Sequence, residues 1–594
     1  MNKLLKYITE WPVLRQLLAP SWGKMPVGQK GVALLMAFMA FTSCSDMLDT
    51  KSDMIEFAED NKLNSTTDTL YSVMGIVRGI QKIADRTVIL GDVRSDQFVT
   101  TEYASTDLQQ IASFQANTEN AYNKISDYYA IINNCNYFIE NADTALRKLG
   151  VQVFEKDFAA IKAFRAWTYL QLVKNYGEVP LVLKPVLTEE EARNEMNKPY
   201  SDINAICSFF IEDIKPYVNT YLPQYGNING RTTEKFFIPV RVLLGELCLW
   251  AGDYQQAANY LYEYLTFKDK PVYSYSGGGC RWSVTNNDFS SANRIDGYSS
   301  SVSSPSGNEL ISYIPMEETE FDGIKSDVQN VFGSTAINRY YYQAAPSEAY
   351  KQLSKAQNYT LYTEISMTEK DTVYAPKTGL VRDLCAGDLR LSSSYYQTKK
   401  STSETSIYGS DYAAAYKINP EVIPMYRVQQ VYLMYAEALN RLGLPESAFC
   451  VLKYGLRNQN IERYVSEKER EKAGSLLNFD DEIFTDARTK GVHSRGCGDV
   501  ECDNNYCVPQ PKNKLASYED TVQYQIPLVE QMIIDECALE FAYEGKRFYD
   551  LMRIALRRND PAYLADAIAK RNGMMDEGLR AKLMDRRNWY LPLR

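Results

Sequence analysis

The only histidine of the chain, His493, precedes three cysteines, Cys497, Cys502 and Cys507, that follow one another at intervals of five. Imidazole and thiolate are ligand types of tetrahedral zinc, so a Cys3His centre can be written from these four side chains. Paired ligands in such sites usually stand about two to four residues apart, and this run is looser. In a protein exported past the cytoplasm, a disulfide within the trio is the first expectation, free thiols the second and a metal the third. Cys135, Cys207, Cys248 and Cys537 fall on apolar helix faces and read as buried, inert thiols.

Carboxylates and arginines are the groups of acid–base sites, and Arg165, Glu437, Glu544 and Arg547 offer both. Each lies in a helical block, where an ion pair between helices is the expected role. The chain has no HExxH, no GxSxG and no phosphate-binding loop. A surface glycosidase needs only two scattered carboxylates in a cleft, so that class stays open, beside a binding protein and a scaffold that binds only protein. No catalytic residue and no cofactor are assigned.

Tyrosine is the unusual part of the composition, with 45 tyrosines against 22 phenylalanines. A flat apolar face with a hydroxyl at its edge suits wet, sugar-like or peptide-like ligands, although most single tyrosines are expected to be half-buried helix residues. Beyond Trp11 and Trp22, Trp167 and Trp250 lie in helical blocks and Trp589 near the end, which leaves Trp282 in a polar, loop-rich stretch. Trp282 is therefore the first choice for an exposed stacking platform; the alternative is packing beneath the Gly277-Gly278-Gly279 turn. Tyr340, Tyr342 and Tyr395 are further candidates, with alternation placing Tyr340 and Tyr342 on one side of an extended chain and Tyr341 on the other.

The elements that must position these groups are mostly helical. Ala160, Ala163, Phe164, Trp167 and Leu170 share one helix face, and Gly177 and Pro180 stop that helix. From Pro239 to Phe267, Leu244-Gly245, Trp250, Gly252 and Ala257-Ala258 match a tetratricopeptide helix hairpin. A second copy runs from Val428 to Leu456, and in both the turn glycine, Gly252 or Gly443, precedes the packing alanine by five residues. Between them, Lys268 to Ile423 is rich in Ser, Gly, Asn, Thr and Tyr, with short β-like pieces such as Leu310 to Ile314. That segment reads as loops and small strands laid on a helical frame, where binding residues usually sit. A polar stretch, Thr485 to Asp520, precedes a final helix over Val529 to Arg558.

The start of the chain carries a different signal. Val32 to Phe41 is an apolar run of about ten residues, against the ~20 that a spanning helix needs, followed by Thr42-Ser43-Cys44. This reads as a lipoprotein signal peptide over 1–43 with translation starting at Met25, lipid attachment at Cys44 and a tether over 44–60. The net charge of -10 and the lack of Lys/Arg blocks argue against a nucleic-acid partner.

Several separated blocks then match one family. They are Cys44-Ser45-Asp46-Met47-Leu48-Asp49, Ala163 to Val182, Asn308-Glu309-Leu310-Ile311, Gly387-Asp388-Leu389-Arg390, Pro424 to Asn440, and Glu536 to Leu551. In order and spacing the chain resembles the SusD/RagB family of nutrient-binding outer-membrane lipoproteins of Bacteroidetes. The resemblance implies a mainly α SusD-like fold with four tetratricopeptide-like hairpins. It implies helical regions over 61–267 and 424–594 and a variable ligand-binding lobe over 268–423. It also implies capture of a nutrient, a glycan first and a peptide as the alternative, and delivery to a SusC-like TonB-dependent transporter from the extracellular face of the outer membrane, without catalysis. In glycan-binding relatives the region matching Gly91 to Phe98 supplies polar and aromatic contacts, which makes Arg94, Asp96, Phe98 and Tyr103 candidates. Asp92 is expected to cap or turn the backbone instead.

Overall fold

The computed structural model describes residues 66–148, 150–267, 280–282, 294–296, 298–317, 323–333, 342–364, 370–378, 380, 383–398, 412–485 and 489–593. The signal segment, Cys44 and Tyr340 lie outside them. Among the described residues no helix is long and apolar enough to cross a membrane.

The fold is mainly helical, as expected. Helices Thr66–Val93, Ile125–Asn141 and Glu155–Tyr176 open it, and the third is buried along almost its whole length. It stops at Gly177, whose φ of 80° favours glycine and where a Cβ would lie 2.9 Å from the Tyr590 ring. The first hairpin pairs Val240–Ala251 with Tyr254–Leu265. Gly252 turns it at φ 84°, and a Cβ on Gly245 would come within 2.6 Å of Leu261, so the glycine lets the two helices close. The second hairpin pairs Val428–Arg441 with Pro445–Lys453 across Gly443, with proline at the first helical position. The packing alanines Ala257 and Ala448 are fully buried. The hairpins meet in space, with the Tyr262 and Tyr435 ring centroids 6.5 Å apart.

Within the chain between the hairpins, one antiparallel pair leads back to the second hairpin. Leu310–Pro315 runs beside Val422–Arg427, with Leu310 opposite Arg427 and Pro315 opposite Val422. Further two-stranded pieces hang on this frame, including Phe98–Thr100 with Ala344–Pro346 and Thr360–Glu364 with Lys370–Tyr374.

The final helix departs from the sequence reading. Instead of one helix over Val529 to Arg558, the chain forms Tyr518–Phe541 and Arg547–Arg558, broken at residues 542–546. The start is earlier because Ser517 and Asp520 form a capping box. The break follows from backbone crossing backbone. A Cβ on Gly545 would lie 2.0 Å from the Thr87 carbonyl oxygen, and one on Gly91 would lie 1.9 Å from that of Gly545. Tyr543 and Gly545 both take positive φ, 69° and 71°, to make this crossing.

A buried ion network joins the lobe to the C-terminal helices. Arg390 binds Asp388, Glu536 and Glu540 at 2.7, 2.7 and 3.0 Å. Arg427 binds Glu544 and Glu540 at 2.8 and 3.0 Å, and Arg495 binds Glu309 at 2.7 Å. Burial alone would raise the Glu540 carboxyl, but Arg495, Arg427, Arg390 and Lys417 around it bring it down to about 2. Charges this deep persist only because each has partners.

Candidate functional site

Four side chains named from sequence as acid–base groups serve as struts. Arg165 binds Asp213 at 2.9 Å, Glu437 binds Arg553 at 2.6 Å, and Glu544 binds Lys417 at 2.6 Å as well as Arg427. Arg547 takes both oxygens of Asp96 at 2.7 Å. These carboxylates are committed to cations inside the fold and are not exposed at a cleft.

The N-terminal candidates come together, but under the surface. Arg94 donates to the carbonyls of Leu90 and Trp589 and to Asn175, and lies 4.2 Å from the centroid of Phe548. Asp96 is held by Arg547. Phe98 is fully buried, with Phe332 and Tyr543 each at 4.8 Å between centroids. Tyr342 and Tyr395 are buried and joined hydroxyl to hydroxyl. Arg94, Asp96, Phe98, Tyr342 and Tyr395 therefore do not present a ligand surface: the loop after the first helix is folded between that helix and the C-terminal pair. Tyr103, half-buried, is the one described candidate of this group that reaches solvent. The Asp92 main-chain carbonyl accepts from the Ser95 amide at 3.0 Å and from the Ser95 hydroxyl. Burial pushes the Asp92 carboxyl well above the usual carboxylate range.

Trp282 is also not an exposed platform. It is 6% exposed and packs with Cys280, Tyr298, Val302, Tyr359, Cys385 and Leu389. Its backbone amide donates to the Tyr359 hydroxyl at 3.1 Å. Tryptophan's large apolar area favours such a cluster wherever one is within reach, even in a polar stretch of sequence.

The cysteine constellation comes apart. All ten cysteines among the described residues are free thiols, so the expected disulfide within the trio is not formed. His493 Nδ1 lies 2.6 Å from Glu536 Oε2 and its ring stacks on Tyr506 at 4.3 Å. Cys497, one helical turn on, donates to Asp388 at 3.3 Å, whereas Cys502 turns to the Asp499 carbonyl and Cys507 is exposed. The four named residues do not converge. The group that does, Asp388 with His493 and Cys497, shares its carboxylate with Arg390, and burial and then Asp388 push the Cys497 thiol well up. That favours a hydrogen-bonded floor over a thiolate ligand. Cys135, Cys207, Cys248 and Cys537 are buried as expected.

An exposed pair of tyrosines, not singled out from the sequence, lies on a hairpin; Tyr200, Tyr221, Tyr416 and Tyr524 are exposed elsewhere. In the register of Thr360–Glu364 with Lys370–Tyr374, Tyr362 stands opposite Thr372 and Thr360 opposite Tyr374. Those four side chains share one face, while Leu361 and Val373 on the other pack against the cluster that holds Trp282. Tyr362 and Tyr374 are each 41% exposed and are diagonal neighbours. The signal in the sequence is the alternation of Leu361-Tyr362 and of Thr372-Val373-Tyr374.

The loop after Cys497 fixes this face. The Asp499 amide donates to the Thr360 carbonyl at 2.8 Å, the Thr360 hydroxyl to the Asp499 carbonyl at 3.0 Å, and the Tyr362 amide to Asp499 Oδ2 at 3.1 Å. The Tyr374 hydroxyl donates to Asp503 Oδ1 at 3.1 Å and accepts from Asn505 Nδ2 at 3.2 Å. Asp503 also takes Asn358 Nδ2 at 3.1 Å. Burial, then Cys502, Glu501, Tyr464 and Asp499, raises the Tyr362 hydroxyl above its ordinary value. Two exposed aromatic rings, Tyr374 anchored through its hydroxyl and Tyr362 on a strand held through its amide, stand beside exposed Asn504, Asn505 and Glu501 and can stack on sugar C–H groups and bond hydroxyls.

The sequence model of the SusD family matches residues 507–592. No curated protein matches the sequence. The fold is similar to a SusD-like carbohydrate binding protein from Bacteroides fragilis, at 15% identity and TM-score 0.51 over 84% of this chain and 88% of that one. It is similar to a SusD superfamily protein from Bacteroides thetaiotaomicron, at 15% identity and TM-score 0.51 over 89% of this chain and 95% of that one. A SusD superfamily protein from Bacteroides vulgatus aligns at 16% identity and TM-score 0.50 over 88% of this chain and 92% of that one.

Proposed function

The chain belongs to the SusD/RagB family, and from that premise we propose that it is a lipoprotein of the outer-membrane surface that binds an oligo- or polysaccharide nutrient and passes it to a SusC-like TonB-dependent transporter. The observation that carries the binding role is the pair of exposed tyrosines on the Thr360–Tyr374 hairpin, held by Asp499 and Asp503 with amides and a carboxylate at their edge. A similarly folded protein is a carbohydrate binding protein, which supports a glycan over a peptide. Cys44 carries the lipid, residues 44–60 tether the body, and residues 268–423 with the 497–507 loop form the ligand side. On this reading the protein performs no chemistry on its cargo, and Glu437 and Glu544, the carboxylates named from its sequence as acid–base groups, are bound in buried ion pairs.

Affinity electrophoresis through gels containing single polysaccharides tests this reading. A retarded band without new reducing ends is expected, and release of sugar would replace the reading with a glycosidase. Pull-down from outer membranes is expected to bring a TonB-dependent barrel. Retention of peptides with no saccharide would move the cargo to the peptide-binding alternative.

A further inference from the structure

The groups around the tyrosine face have one dominant sign. Asp499 binds the Tyr362 amide and Asp503 the Tyr374 hydroxyl. Glu501 is exposed on the short turn Val500–Cys502 beside them, and Asp371, also exposed, accepts from the Thr372 amide on the hairpin itself at 2.8 Å. Among the described side chains two cations stand near. The Lys453 ammonium is turned inward onto the carbonyls of Asp503 and Tyr506 at 2.8 and 2.7 Å. The Arg463 guanidinium lies 5.2 Å from the centroid of the Tyr464 ring. Among the described side chains, four carboxylates against these two leave the face negative, on a chain whose net charge is already -10.

Resting on the carbohydrate reading above, we propose that this face takes uncharged or amine-bearing saccharides and turns away those carrying carboxylate, sulfate or phosphate groups. The exposed carboxylates, Glu501 and Asp371, accept hydrogen bonds and so match ligands that bring hydroxyl or ammonium donors, while Asp499 and Asp503 behind them add charge of the same sign. An anionic ligand would meet like charges on approach and could offer these acceptors nothing to bind, which costs both encounter rate and affinity. The tyrosine rings add attraction without regard to charge, except for a cation, which gains from the negative ring face. An amine-bearing sugar is therefore favoured twice, by the rings and by the rim.

The test is a saccharide array holding neutral, amine-bearing, uronate and sulfated oligosaccharides, probed with the full mature chain and with a Tyr362→Ala/Tyr374→Ala double variant at physiological salt. Neutral or amine-bearing signals are expected from the parent and should weaken by about tenfold or more in the variant. Uronate or sulfated signals that disappear in the variant would overturn the charge rule and leave the tyrosine face standing as the binding site. Signals that survive in the variant, or an array with no signal, would overturn the tyrosine face and this inference with it. The Tyr362→Ala single variant leaves the Asp503 anchor intact and carries the same reading should the double variant lose its fold.

Discussion

The hydroxyl of Tyr374 donates to the carboxylate of Asp503 at 3.1 Å while the residue remains 41% exposed. Asp503 itself is buried and tied to Asn358 and to the Asn505 amide, so a surface ring is anchored to an interior group. This is how an exposed aromatic gains a fixed orientation without burial, which lowers the entropy lost when a ligand docks.

Removing the ring and removing its anchor should differ. Tyr374→Ala is expected to weaken saccharide binding about tenfold with the thermal midpoint shifted by only a few degrees. Tyr374→Phe keeps the stacking face and should retain most of the affinity while losing about 1 kcal/mol of stability. Isothermal titration and thermal melts of the two variants check this; equal affinities in all three proteins would refute a stacking role.

Trp282 should behave as a core residue. Trp282→Ala is expected to cost about 3 to 5 kcal/mol, because it empties the cluster formed with Cys280, Tyr298 and Leu389. Well below the variant's melting range, saccharide binding should change little. Urea unfolding gives the first quantity and titration calorimetry the second, and a stable variant that has lost its ligand would return Trp282 to the binding surface.

The buried network should fail if it loses one cation. Arg427→Met leaves Glu540 and Glu544 short of a partner and is expected to destabilise by about 3 to 5 kcal/mol. Chemical denaturation checks it, and a variant within 1 kcal/mol of the parent, on the order of an exposed pair, would show that the network does not depend on this arginine.

The same network sets a limit at low pH. Burial opposes ionisation of Glu540, yet Arg495, Arg427, Arg390 and Lys417 hold its folded value at about 2, below the ordinary 4.5. A depressed carboxyl contributes stability that is present above its unfolded value and is lost as pH falls through the folded one. Stability should therefore decline from about pH 4.5 towards pH 2, by roughly 3 kcal/mol for this group. Denaturant midpoints measured across that range check the sign, and a flat profile would contradict it.

The thiols offer a direct test of the cysteine loop. Among the described cysteines only Cys507 is exposed. Brief iodoacetamide treatment of the folded protein should label Cys507, and the other described cysteines should react only after denaturation. Peptide mass spectrometry reads both states. A Cys502–Cys507 disulfide in the native protein would contradict the structure.

Much of the frame was legible in the residues alone. Gly252 and Gly443 marked the two hairpin turns, Gly177 the end of its helix, and Arg165, Glu437, Glu544 and Arg547 the ion pairs between elements, because periodicity, capping and turn preferences are local and are printed in neighbouring residues. The alternation around Tyr362 and Tyr374 is equally local, but alternation alone does not say which face of a strand is exposed. What only the tertiary structure decided was exposure and company. Residue type could not say that Trp282 lies over Tyr359 while Tyr374 faces outward, nor that His493 and Cys497 would face Glu536 and Asp388 while Cys507 left the group. Nor could it place the break at Gly545, which depends on a helix more than 400 residues earlier in the chain. Burial is set by which distant segments close over a side chain, and that information is spread across the chain instead of residing in the residue that is buried.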